Sequence, residues 1–174
     1  MSRTALISIL CEDRIGLIAA VTGRLYDLGI NLGDTTFAVL GGAAEFTTLA
    51  ELPDHQSLGG VEAELSDLPA LEGAKISVAP FSYRAQHDDT ARITHRIEIE
   101  GEDSPGLVAR LSEVFVGFGA NIVRLNSERV GGASGARYVT RIAAWIPPEK
   151  AKACLATVAN TAGELRLTCK TQAV

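Results

Sequence analysis

The chain has 174 residues, 47% of them hydrophobic and only 5% aromatic, with a formal net charge of −5. That is a globular composition, and the lack of any apolar run of about 18 residues speaks against a membrane-spanning helix. The three cysteines, Cys11, Cys154 and Cys169, have no metal-ligand spacing and form an odd count, so a reducing, cytoplasmic setting is the simpler expectation.

The opening residues, Met1 to Leu10, carry one positive charge and alternate like a strand without a small-residue cleavage site; they read as structure rather than a signal peptide. A strand near Ala5–Cys11 leads through an acidic, glycine-containing turn into a helix whose apolar stripe is Ile18, Val21, Leu25 and Leu28, steps that share one helical face. Gly29 suits the end of that helix. A strand near Asn31–Leu40, a turn at Gly41-Gly42 and a return strand near Glu45–Leu52 follow. A second helix carries Leu58, Val61, Leu65 and Leu68, and a last strand runs near Lys75–Phe81. Residues 83–91 are polar and lack periodicity, as a linker does.

The same order then returns. Glu12-Asp13-Arg14-Ile15-Gly16-Leu17 reappears 90 residues later as Glu102-Asp103-Ser104-Pro105-Gly106-Leu107, and Gly29-Ile30-Asn31 as Gly119-Ala120-Asn121. The strand near Thr94–Gly101 alternates Ile97 and Ile99 with charges, and the helix stripe recurs as Val108, Leu111, Phe115 and Phe118. Strands near Asn121–Val130 and Arg137–Ile146 flank Gly131-Gly132. Pro147-Pro148 sets where a helix bearing Ala151, Leu155, Val158 and Ala162 can begin, and a strand near Leu165–Thr171 closes the copy. Asp13 and Asp103 stand where helix N-caps would, and Pro105 suits a first helical turn. The expectation is an α+β chain of two ferredoxin-like βαββαβ modules, residues 1–82 and 92–174, each an antiparallel four-stranded sheet with both helices on one face.

The first half holds 4 Lys and Arg against 11 Asp and Glu, the second 11 against 8. This asymmetry can steer a protein partner or draw the halves together. The acidic net balance and the absence of a recognition motif count against direct nucleic-acid binding. Arg124, Arg129, Arg137 and Arg141 could form a basic strip on the second sheet, read as a solvated face or a protein-docking surface. No phosphate-binding loop or nucleophile elbow is found, and His55, His87 and His95 are scattered, so no catalytic or metal role is expected.

These residues resemble the ACT domain, whose signature is similar to D-x-P-G-L at the first strand-to-helix turn with an Asn at the start of the second strand. Asp103-Ser104-Pro105-Gly106-Leu107 with Asn121 matches it, and Asp13-Arg14-Ile15-Gly16-Leu17 with Asn31 departs only at Ile15. Two ACT modules alone are similar to the glycine cleavage system transcriptional repressor group. That resemblance implies an amino-acid-sensing regulator, not an enzyme, with a small amino-acid effector, glycine favoured, and no other cofactor. It implies action through a DNA-bound activator protein.

In such pairs the ligand sits between modules, one module's turn facing another's strand. The resemblance therefore carries a ligand-binding role to Asp13, Arg14, Gly16, Leu17 and Asn31, and to Asp103, Ser104, Gly106, Leu107 and Asn121. The chemistry agrees: a helix start offers free N–H groups to a carboxylate, glycine lets backbone approach closely, and Asp or Asn oxygens can take an ammonium. Each residue also has a plainer role, as cap, turn, core or strand start. An interaction module that has lost its ligand pockets stays open as the alternative. The first strand's outer face, Leu6, Ser8 and Leu10, is mostly apolar where the second copy has Arg96, Glu98 and Glu100. Such a face needs a cover, and a homodimer or partner contact is expected.

Overall fold

A computed structural model describes residues 3–84, 86–131 and 137–174; the turn expected at Gly131-Gly132 falls partly outside them, at Gly132. The first copy runs β1 (Arg3–Glu12), α1 (Leu17–Asp27), β2 (Asn31–Leu40), β3 (Ala43–Leu52), α2 (Leu58–Ser66) and β4 (Lys75–Pro80). The second runs β5 (His95–Gly101), α3 (Leu107–Phe118), β6 (Asn121–Val130), β7 (Arg137–Trp145), α4 (Ala151–Glu164) and β8 (Thr168–Ala173). The strand orders are β2-β3-β1-β4 and β6-β7-β5-β8, with antiparallel pairing throughout. This is the ferredoxin-like α+β fold, twice. Backbone contacts divide the chain into residues 1–85 and 86–174.

Each unit has its own core. In the first, Ala5, Ile7 and Ile9 of β1 and Phe46 of β3 lie under Leu17, Val21 and Leu25 of α1 and Val61 and Leu65 of α2. In the second, Ile97 and Ile99 lie under Leu111 and Phe115 of α3 and Cys154, Val158 and Ala162 of α4. The alternate residues of β1 and β5 point to the opposite side, as a pleat requires.

The helix stripes differ from expectation by one position. Leu17 and Leu107 are buried, whereas Ile18 is 44% and Val108 36% exposed. Steps of four from Leu17 hold the sheet-facing line, and the next residue lies about 100° further round the helix. In α4 the buried line is Cys154, Val158 and Ala162, and Ala151 and Leu155 are only partly buried. Strand β8 starts at Thr168 rather than Leu165, because Leu165 caps α4 and Arg166 takes a left-handed φ of 58°.

Both α1 and α3 end in the same backbone lock. Gly29 N–H donates to the Tyr26 carbonyl and Ile30 N–H to Leu25; Gly119 and Ala120 donate equivalently to Val116 and Phe115. The glycines have φ of 71° and 68°, the left-handed conformation this helix stop requires. The chain is thereby aimed into edge strands β2 and β6 at Asn31 and Asn121.

Candidate functional site

The two D-x-x-G-L segments fold alike. Leu17 N–H donates to the Arg14 carbonyl and Leu107 N–H to Ser104, closing four-residue turns. Gly16 (φ 87°, ψ 0°) and Gly106 (φ 82°, ψ 1°) occupy the third position. Pro105 cannot have positive φ, and Arg166 is the only described non-glycine that does, so both are type II turns, which need glycine there and favour proline before it.

This corrects two expectations. Asp13 and Asp103 are not N-caps: the caps are Gly16 and Gly106, with no side-chain bond to the helix. Pro105 lies in the turn, not in the helix. The Gly16 and Gly106 carbonyls accept the first helical bonds, from Ala20 and Arg110. Among the described residues the amides of Ile18 and Ala19, and of Val108 and Ala109, have no backbone acceptor, as first-turn amides do not. No atom lies within 4 Å of where a Cβ on Gly16 or Gly106 would sit, so the backbone there is open to approach.

The side chains around the turns differ. Arg14 donates to Glu12 at 3.1 Å and to the Pro69 carbonyl at 3.5 Å. Asp103 instead pairs with Arg129 at 3.0 Å. Leu17 and Leu107 are core residues. Ser104 is half-buried, and Ile15, in the proline position of the first copy, is fully exposed. Cys11, just before the first turn, is buried with its Sγ 4.0 Å from the Ala44 carbonyl. Burial pushes its thiol pKa up, Arg14 opposes this and Asp13 adds to it, so the group is set against forming a thiolate.

Asn31 and Asn121 lie far from the turn of their own module. The first turn sits at the β2–β3 hairpin end, where Asp13 N–H donates to the Gly42 carbonyl at 3.0 Å. Asn31 is at the other end of β2, opposite Glu51. The 11 residues of α1 separate them, about 16 Å of helix, more than one small amino acid spans. Neither module brings its own Asp-Gly turn and its own Asn to one ligand.

Asn31 borders an open depression of about 580 Å³ lined by Ala19, Thr22, Gly23, Tyr26, Ile30 and Leu32. Its Nδ2 donates to Glu51 Oε2 at 3.4 Å, a long bond. Asn121 stands opposite Trp145, and its Nδ2 donates to the Thr90 carbonyl at 3.0 Å. Glu51 and Thr90 were not among the residues singled out from sequence.

Three of the four arginines expected to form a basic strip on the second sheet are paired with carboxylates. Arg141 pairs with both Glu98 and Glu128, Arg137 with Glu100 and Arg129 with Asp103. No group of His, Cys, Asp or Glu suited to a metal occurs among the described residues, and none of their helices is long and apolar enough to cross a membrane.

Residues 5–70 match the ACT domain family model. A UPF0237 protein of Methanosarcina mazei is 26% identical over 93 residues, covering 53% of this chain and 94% of that one. A crystal structure of a protein of unknown function from Galdieria sulphuraria aligns over 100% of this chain and 99% of its own, with a TM-score of 0.76 at 22% identity. That of a candidate glycine cleavage system transcriptional repressor aligns over 100% and 98%, with a TM-score of 0.68 at 15% identity. At such identities the structures speak for the fold, doubled along the whole length. Residues 5–70 thus match the ACT domain family model, and the chain as a whole has the doubled ferredoxin-like fold of these two structures.

Proposed function

We propose that this protein senses a small amino acid and reports it to a protein partner, without catalysing a reaction. The observation that carries this reading is the pair of open type II turns at Gly16 and Gly106, each presenting unpaired first-turn amides. Those amides and the positive end of the helix dipole suit a carboxylate. The separation of each turn from its own Asn implies a composite site, an Asp-Gly turn completed by the Asn of a second copy of the chain. Asp13, Arg14, Gly16 and Leu17 contribute the turn side and Asn31 the strand side; Asp103, Ser104, Gly106, Leu107 and Asn121 are the second set.

In this reading the regulated process is transcription, glycine is the favoured effector, and the partner is a DNA-bound activator in the cytoplasm, as the resemblance of the sequence implies. The exposed apolar side of the first sheet, with Leu10 43% exposed, supports a homodimer.

A thermal-shift panel of the twenty amino acids on the full chain tests this. A ligand that binds only the native state raises the melting midpoint by mass action, and one or a few small amino acids are expected to do so. A panel with no shift at saturating concentration overturns sensing and leaves an interaction module without ligand.

A further inference from the structure

Asn31 and Asn121 occupy equivalent places, each at the first residue of an edge strand directly after a glycine helix stop. Their surroundings are not equivalent. Asn31 faces Glu51 across the strand pair, and Asn121 faces Trp145. The Asn31 amide has only the 3.4 Å contact with the Glu51 carboxylate, whereas the Asn121 amide is taken at 3.0 Å by the Thr90 carbonyl.

That carbonyl is held in place by its own segment. Residues Asp89–Ala91 form a single 3₁₀ turn, closed by Ala91 and Arg92 N–H donating to Asp88 and Asp89. Thr94 then anchors the segment to the second sheet: its N–H donates to the Ala144 carbonyl, its hydroxyl accepts from Ile146 N–H, and its carbonyl accepts from Val174. Five bonds thus hold the segment that carries Thr90.

We infer that a chain takes up one amino acid, at the Asn31–Glu51 pair, and that the equivalent position at Asn121 is filled by the Thr90 carbonyl. This rests on the amino-acid-sensing reading above. An amino acid is a zwitterion, so a receptor needs a donor for its carboxylate and an acceptor for its ammonium. Asn31 Nδ2 adds a donor for the second carboxylate oxygen beside the turn amides, and Glu51 is the acceptor for the ammonium. They are already adjacent, and both are exposed, so a ligand can enter between them. At Asn121 the carbonyl oxygen stands where a ligand carboxylate oxygen would, and Trp145 offers the ammonium no carboxylate or other hydrogen-bond acceptor, since an indole N–H only donates. The result holds whichever turn completes each site, because each chain supplies one Asn31.

Isothermal titration calorimetry of the full chain with the amino acid that gives the largest thermal shift tests this. The expected result is one site per chain. Glu51→Gln, which keeps size but removes the charge, should weaken binding at least tenfold, and Asn31→Ala should remove it. Hydrogen exchange on the parent protein gives a reading free of any variant's folding: ligand should slow exchange around residues 30–33 and leave residues 88–92 unchanged. Two sites per chain, undiminished binding by Glu51→Gln, or ligand protection at residues 88–92 would each overturn the inference while leaving sensing intact. No heat with any amino acid would overturn sensing itself, and this inference with it.

Discussion

The hydroxyls of Thr35 and Thr48 meet at 2.7 Å across β2 and β3. Ser127 and Thr140 repeat the contact at 2.9 Å in the second module. Thr48 and Thr140 are fully buried, and the Thr35 hydroxyl also reaches the Gly33 carbonyl at 3.0 Å, inside the irregular stretch where the β2 register shifts. The contact thus ties the bulge to the core. Thr48→Val keeps the volume and removes the hydroxyl. It should lower stability by about 1 kcal/mol, the net value of one such bond, read as a lower urea midpoint with unchanged slope. An unchanged midpoint would show that the hydroxyl pair is incidental.

Glycines at two kinds of position should answer alanine oppositely. Gly106 sits at φ 82° with open space around it, so Gly106→Ala pays no steric contact but a left-handed backbone, costing about 1–2 kcal/mol. Gly117 lies in the last turn of α3, also with nothing within 4 Å. Gly117→Ala should stabilise by about 0.5–1 kcal/mol. Thermal unfolding of both variants checks the pair; equal effects would contradict the turn assignment.

The cysteines give a pH dependence. Burial raises the pKa of Cys154, as it does that of Cys169. In the unfolded chain the thiol ionises first, near about pH 8.5, while the native protein still holds its proton. The stabilising contribution is therefore complete below that pH and is lost as pH rises towards the native value. Cys154→Ala should flatten the decline of stability above about pH 8.5 relative to the parent, measured by urea unfolding from pH 7 to 10. Parallel profiles would show that Cys154 does not contribute.

The outer sides of the two sheets predict different surfaces. On the first, Leu6 pairs with Leu49 and Ala79, and Leu10 lies beyond them. On the second, Glu98, Arg141, Lys170 and Glu128 form connected ion pairs. Leu6→Lys with Leu10→Lys should leave circular dichroism unchanged, since neither side chain is in the core, and convert the proposed homodimer to monomer by light scattering. A folded variant of unchanged mass would sink the homodimer as placed here; an unfolded one would show that this side is internal.

The repeat, the order of elements and the glycine stops were legible because each depends on neighbours in sequence: a 3.6-residue stripe, a two-residue alternation, a glycine that must take positive φ. The Asp-x-x-Gly-Leu turn and the Asn were legible as a pattern for the same reason. Their separation was not, because a helix and a strand together carry the chain from one end of the sheet to the other. Nor was the partner of each Asn. Counting back from Leu40 opposite Ala43 would set Asn31 opposite Leu52, yet the register shift between Leu32 and Thr35 sets it opposite Glu51. The same shift between Ile122 and Arg124 sets Asn121 opposite Trp145. One residue of slip turns a side chain to the other face, and Leu32, at the edge of the shift, packs against the core. Local sequence determined that each module has a turn and an Asn. Only tertiary pairing decided that one Asn meets a carboxylate and the other a carbonyl of its own chain.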